Sequence, residues 1–360
     1  MTQLLEHLAA GGTDSSATGR VASELETIRA RFEETVGVLK RTNVERLPWY
    51  VFIGAPGSGK TTALVNSGLR FLLPGADRTA PVAGVGGTRN CDWWFTDEAV
   101  LLDTAGRYTT QDSNARADAA AWQGFLALLK QYRTTPPLNG AFVTASVLDL
   151  MLWSKAERAR FAAHVRMRLS ELYAGLGARF PVYLLVTKTD LLAGFVEFFG
   201  DLDSGDRAQV WGTTFGLDAD PSLMKEPYAA DFAALEQRLN AAMLARIHEE
   251  RDLQRRAAIY RFPQQFRAVG PLLCDFLAQA FGTQVNHRPI QLRGVYFTSG
   301  TQEGNPIDRV LGTLQRTFRL ERGAGAARGA SGKSFFITRL LREVVFPEKD
   351  LAVGEDAKLS

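Results

Sequence analysis

Cysteine is nearly absent from this 360-residue sequence: Cys91 and Cys274 alone are too few for a disulfide framework or a metal site of their own. That usage fits a reducing compartment, with both thiols expected to pack as small apolar groups. The four histidines, His7, His164, His248 and His287, are scattered without ligand spacing. No run reaches the roughly 18 uninterrupted apolar residues of a membrane span. The richest, Ala141 to Trp153, is shorter and holds Asp149. A basic-then-apolar leader is missing from the N-terminus. A large charge of one sign is missing too: the net charge is +3 without a concentrated basic stripe, which argues against a nucleic-acid partner. Taken alone, the polypeptide is expected to be soluble.

What is present is the balance of a folded protein, 46% hydrophobic and 22% charged, with length for about two domains. Residues 1–20, rich in Gly, Ser, Thr and Ala, read as a flexible leader. Within 21–47, Leu25, Ile28, Phe32, Val36 and Leu39 fall at helical intervals. Residues 48–216 alternate strands and helices, the pattern of a mainly parallel sheet covered on both faces. Its strands are expected at Trp49 to Ile53, Cys91 to Phe95, Ala99 to Asp103, Ala141 to Leu150 and Pro181 to Val186. The expected helices are Thr61 to Phe71, Ala117 to Tyr132, and one opened by a capping box at Ser154 and Glu157 and stopped at Gly177.

Residues 217–350 read as a mainly helical subdomain with one further strand, Gly294 to Thr298, and 351–360 as a flexible tail. The helical stripe Phe232, Leu235, Leu239, Met243 and Ile247 is expected to continue past Arg256 and stop near Pro263. Further helices are expected at Pro271 to Phe281, from Asn305-Pro306 through Phe318, and at Phe335 to Val345 after a flexible stretch, Gly323 to Gly332. The arginines 251, 255, 256 and 261 read as a solvated helix end, with docking to an acidic partner or phospholipid heads as the alternative.

The chemistry sits in 48–216. Gly54-Ala55-Pro56-Gly57-Ser58-Gly59-Lys60-Thr61 fits G-x-x-x-x-G-K-[ST] between a strand and a helix, the setting a P-loop requires. Glycines at 54, 57 and 59 let main-chain amides, including that of Ser58, wrap a polyphosphate. Lys60 is expected to reach the β- and γ-phosphates, Thr61 to hold Mg²⁺, and Thr62 to follow at the helix N-terminus.

Asp103-Thr104-Ala105-Gly106 ends the next strand as D-x-x-G: Asp103 suits a water of the Mg²⁺ shell, and Gly106 an amide contact to the γ-phosphate. Thr187-Lys188-Thr189-Asp190 fits [NT]-K-x-D, in which the aspartate accepts both N–H groups of guanine. The motif leans toward GTP but leaves ATP open. Thr88 is the candidate for a mobile threonine closing on Mg²⁺, with Thr79 or a purely structural glycine turn as alternatives. Arg107 stands where many GTPases carry a water-orienting glutamine, and an arginine cannot accept a proton from water. Lys60, Asp103, Thr88 and Arg107 are thus the catalytic candidates for a slow hydrolysis. A second P-loop look-alike, Gly329 to Ser334, fails because its first position is Ala327 and no apolar strand precedes it.

These blocks, with Gly84-Val85-Gly86-Gly87-Thr88-Arg89-Asn90-Cys91-Asp92-Trp93-Trp94-Phe95, Val210-Trp211-Gly212, Gly294 to Gly304, Lys333 to Phe336 and Val345 to Glu348, resemble the cytoplasmic region of the IcmF/TssM family of type VI secretion systems. The resemblance spans about residues 21–350. It implies a P-loop GTPase-like fold followed by a mostly helical extension, placed between transmembrane helices on the cytoplasmic face of the bacterial inner membrane. It also implies as partners the inner-membrane protein TssL (DotU/IcmH-like), baseplate components, and the lipoprotein TssJ through a periplasmic part that this sequence lacks. Three functions are in competition: a nucleotide switch using Mg²⁺ and GTP or ATP, a non-hydrolysing scaffold, and, more weakly, a small-molecule kinase.

Overall fold

The computed structural model describes residues 47–71, 91–110, 115–133, 136–217, 225–282, 289–300 and 334–354, together with five positions of an N-terminal helix. Those five, Ser23, Glu26, Arg29, Ala30 and Glu33, are helical and exposed, and the apolar stripe expected beside them lies outside the described residues. So do Thr79, Thr88 and the helix expected at 305–318.

The chain opens with β1 (Trp49–Gly54), the helix α1 (Lys60–Val65), and the strands β2 (Cys91–Phe95) and β3 (Val100–Thr104). The short helix α2 (Gly106–Thr110) and α3 (Ala115–Tyr132) follow, then β4 (Gly140–Ser146), α4 (Val147–Leu152) and α5 (Lys155–Leu176). Next come β5 (Ala178–Arg179), β6 (Val182–Thr187), α6 (Phe195–Phe199), α7 (Ser204–Arg207) and β7 (Gly212–Thr214). Two long helices, α8 (Lys225–Glu249) and α9 (Leu253–Ala280), lead to β8 (Leu292–Phe297) and β9 (Ser299–Gly300). The last described segment holds β10 (Ser334–Phe335), a π-helical turn Leu340–Val345, a 3-10 turn Phe346–Leu351 and β11 (Val353–Gly354).

Seven strands form one sheet in the order β2-β3-β1-β4-β6-β8-β7. The five from β3 to β8 run parallel, and β2 and β7 close the two edges antiparallel. The strand expected within 217–350 is β8, and it lies inside this sheet between β6 and β7. Both faces are covered, so the central strands read as unbroken apolar runs rather than alternating ones. One face packs against α3, α5, α6, α8 and α9, with Trp93, Val51, Val143, Leu184 and Phe297 in its core. The other carries Tyr50, Phe52, Phe142, Tyr183 and Tyr296 under α1 and the 334–351 segment.

Several expected boundaries move. The helix after the P-loop ends at Val65 instead of Phe71, because Gly68 takes a left-handed φ of 72° and turns the chain. Phe71 instead bridges to Thr96 and packs against Trp94 with the rings tilted at 59°. The run expected as strand through Leu150 leaves the sheet at Ser146, whose Oγ caps α4 by accepting from the Asp149 amide. An apolar run alone does not distinguish a strand from a buried helical turn. Pro263, read as a helix stop, and Pro271, read as the start of the next helix, both lie inside α9. Each costs a main-chain hydrogen bond, and the buried row Phe262, Phe266, Val269, Leu273 and Leu277 offsets that loss. The break falls instead at 250–252, where Asp252 caps α9 by accepting from the Arg255 amide. The helix expected at Phe335 to Val345 starts late, since Ser334–Phe335 pairs with β9 and Phe336 has a φ of 63°.

Other local readings hold. The capping box of Ser154 and Glu157 is formed, and Gly177 ends α5 in the left-handed conformation. Cys91 and Cys274 are buried in the apolar core. Of the arginine cluster, Arg255 pairs with Glu250 and Arg256 caps Ile247 O at the end of α8.

Candidate functional site

Strand order reverses across β1: β3 lies on one side of it and β4 on the other. In an open α/β sheet, the crevice at the carboxyl ends of the strands beside such a reversal is where ligands bind. The P-loop leaves β1 at that edge, D-x-x-G leaves β3, and T-K-x-D leaves β6. The fold therefore brings three motifs, separated by up to 136 residues of sequence (Gly54 to Asp190), to one end of the sheet.

Within the loop, Gly57 and Gly59 hold left-handed φ values of 71° and 87°, a conformation other residues rarely adopt. A side chain at Gly54 would collide with Thr144 and Ser58, and one at Gly106 with the backbone of Pro56. The loop is tied to its neighbours through hydroxyl groups. Ser58 Oγ lies 2.7 Å from Thr144 Oγ1 on β4, and Thr187 Oγ1 on β6 donates to Ser58 O at 2.5 Å. Gly54 N donates to Thr109 Oγ1 at 3.0 Å, which fixes α2 against the loop.

Lys60 Nζ donates to Gly54 O and Ala55 O, both at 3.0 Å, and the residue is only 6% exposed. Burial pulls its pKa down to about 8, against the opposing attraction of Asp103. Thr61 Oγ1 donates to Asp103 Oδ2 at 2.5 Å, joining the P-loop helix to the end of β3. This hydroxyl and carboxylate are hard oxygen donors that suit Mg²⁺. Among the described residues no group of three or more His, Cys, Asp or Glu side chains could hold a metal unaided. Phosphate oxygens would have to complete the shell.

Thr62 sits half-buried beside Gly300, on the side of α1 that faces β9. Lys188 takes a left-handed φ of 59°, rare for a residue with a side chain, and starts the short turn that presents Asp190. Burial raises the pKa of Asp190 while a hydrogen bond from Ser299 opposes the shift. Asp149 beside Lys188 is likewise raised by burial. Arg107 turns from the loop toward α3: it lies 3.6 Å from the buried Asp118 carboxylate and over the Tyr108 ring.

The sequence reading missed Thr144, Thr109 and Ser299. Ser299 Oγ, at the start of β9, donates to Asp190 Oδ1 at 2.6 Å. Its available signal was a hydroxyl and a glycine directly after an apolar strand, as at the other motif-bearing strand ends.

The family model described as "IcmF-related N-terminal domain" matches residues 115–359. The type VI secretion system component TssM1 of Pseudomonas aeruginosa is 51% identical over 99% of this chain, which spans 33% of that relative's length. Among solved structures, a small COPII coat GTPase Sar1 of Encephalitozoon cuniculi in complex with GDP is 18% identical over 47% of this chain and 63% of its own, with a TM-score of 0.24. The signal recognition particle receptor SRβ-GTP/SRX complex of Chaetomium thermophilum gives 15% over 75% of this chain and 98% of its own, with a TM-score of 0.32. Scores of this size carry no functional weight. By the family match over most of its length and a relative half identical from end to end, the chain belongs to the IcmF-related (IcmF/TssM) family.

Proposed function

We propose that this chain is a nucleotide-binding switch region of a type VI secretion membrane complex, taking Mg²⁺ with GTP in preference to ATP. The observation that carries this reading is the convergence of Lys60, the Thr61–Asp103 pair and the Asp190–Ser299 pair at one end of the sheet. Lys60 would exchange its two carbonyl partners for the β- and γ-phosphate oxygens, and the left-handed glycines would aim main-chain amides at the same anion. Thr61 and Asp103 would hold Mg²⁺ directly and through water, and the ion would neutralise charge between the phosphates. Gly106, packed on the P-loop backbone, is positioned to report the γ-phosphate to α2.

Preference for guanine rests on Asp190. Its ionised carboxylate accepts two hydrogen bonds side by side, matching the paired N–H donors on the guanine edge. Adenine lacks that pair. Ser299, by donating to Oδ1, favours the ionised form and fixes the plane of the group.

Hydrolysis would be slow, since Arg107 is engaged by Asp118 and cannot activate water. That same observation favours the second reading, a scaffold that binds nucleotide without turnover. In either case the inner-membrane setting, TssL, baseplate components and TssJ follow from the family resemblance as proposed surroundings. Titration of the purified chain with labelled GTP and ATP, with and without Mg²⁺, separates the readings. Mg²⁺-dependent GTP binding with phosphate release above background supports the switch. Binding with no release, even with TssL present, supports the scaffold.

A further inference from the structure

The helical pair α8 and α9 exposes apolar side chains that neither the core nor the nucleotide reading uses. Leu253, Leu244 and Tyr260 are 76%, 68% and 54% exposed, three of the four most exposed large hydrophobics among the described residues. Scattered singly, such residues are ordinary surface; gathered in one place, they mark a contact.

The register of the two helices gathers them. Phe232 stacks on Phe266, Arg267 pairs with Glu236, and Arg256 donates to Ile247 O, so the helices run antiparallel. The last two contacts mark the seam, and in that register Tyr260 stands within one residue of level with Leu244. Helical positions three, four or seven apart share a face. Leu253 and Tyr260 therefore lie on the side of α9 that carries Arg256, and Leu244 on the side of α8 that carries Ile247. Being exposed, all three line the solvent side of the seam, as the walls of an apolar groove.

The acids around this groove are mostly engaged already. Glu250 accepts from Arg255, Glu236 from Arg267, and Asp252 caps α9. Arg238, Arg251 and Arg261 are exposed, and none of them meets an acidic side chain among the described residues. Glu249, at the end of α8, is the exposed carboxylate that opposes them. Arg238 and Arg261 fall on the outer flanks of the two helices, away from the seam. The unmatched charge is thus positive on both rims of an apolar groove. That is the complement of a helix with one apolar face and acidic flanks. A flat lipid surface would call for arginines turned to the same plane as the leucines, whereas these straddle the groove.

We propose that the α8–α9 groove is a docking site for an acidic amphipathic helix of a partner protein, which packs over Leu244, Leu253 and Tyr260 as a third helix. The proposal stands on this surface alone and does not depend on whether nucleotide binds.

The probe is a labelled peptide of about 18 residues, roughly five turns, with leucines along one face and glutamates elsewhere. Controls are the same peptide with lysines for glutamates, and vesicles of phosphatidylglycerol and phosphatidylcholine. Fluorescence anisotropy is expected to show saturable binding of the acidic peptide, at least about tenfold tighter than the basic one. Leu244→Ser and Tyr260→Ser, both at exposed positions, are each expected to weaken it at least about fivefold. Arg261→Glu is expected to weaken the acidic peptide and strengthen the basic one. Hydrogen exchange should place the protection on residues 241–264. No saturable binding of the acidic peptide, equal affinity for the two peptides, or unchanged affinity in the folded variants overturns the proposal. Vesicle binding lost in the same variants, without peptide binding, overturns it in favour of a lipid surface.

Discussion

Ser299 donates a 2.6 Å hydrogen bond to Asp190 across 109 residues of sequence, so the start of β9 orients the carboxylate in the turn that follows β6. Because β8 lies beside β6 in the sheet, both loops open at the same edge. Ser299→Ala removes the donor but leaves the carboxylate. The expected outcome is a loss of GTP affinity of about 1 kcal/mol, roughly fivefold, with ATP affinity unchanged. Competition binding with the two nucleotides reads the ratio directly, and equal losses for both would disconnect Asp190 from the base.

The depressed pKa of Lys60, about 8, gives nucleotide binding a pH dependence. A polyphosphate favours the charged ammonium, so binding raises this pKa. Below about pH 8 the group is already protonated and affinity should be flat. Above it, each further unit should weaken binding by up to about tenfold until the bound-state pKa is reached. Calorimetry at pH 8.5 in buffers of different ionisation enthalpy should show proton uptake, and proton release would contradict this assignment.

Stability has a separate anchor on the sheet face opposite α3 and α5. The side chain of Arg293, 8% exposed, pairs with Glu348, which also accepts from Tyr183 Oη at 2.7 Å. That cluster ties the 346–351 turn across β6 and β8. Glu348→Ala leaves a mostly buried guanidinium without its carboxylate and should cost roughly 3 kcal/mol in urea unfolding. Replacing Glu348 by Gln, which keeps the hydrogen-bonding shape, should cost less. Neither change touches the P-loop, so nucleotide affinity per folded molecule should hold.

Gly177, with φ 60° at the end of α5, offers a backbone test. No atom crowds a Cβ there, so Gly177→Ala isolates the left-handed conformation from packing and should destabilise by about 1 kcal/mol. A thermal melt unchanged from the wild type would mean that the helix end relaxes.

Local chemistry was legible wherever one short segment settles its own conformation. The P-loop glycines, the Ser154–Glu157 capping box and the Gly177 stop could all be read from adjacent residues. Tertiary decisions could not. Pro263 looks like a stop and Pro271 like a fresh start until the buried row around Phe266 is known to face α5, α6 and α8. The apolar run Ala141 to Leu150 gives no sign that Ser146 will cap a helix. Ser299 acquires its place only because β8 enters the sheet next to β6.

The most direct measurement is equilibrium binding of fluorescent GTP to the wild type and to Lys60→Ala, with circular dichroism showing that both are folded. The expected result is saturable, Mg²⁺-strengthened binding by the wild type and a loss of at least about a hundredfold in the variant. Equal affinity of the two folded proteins, or no binding by either, would contradict a polyphosphate cradle at the end of β1 and leave only an assembly scaffold.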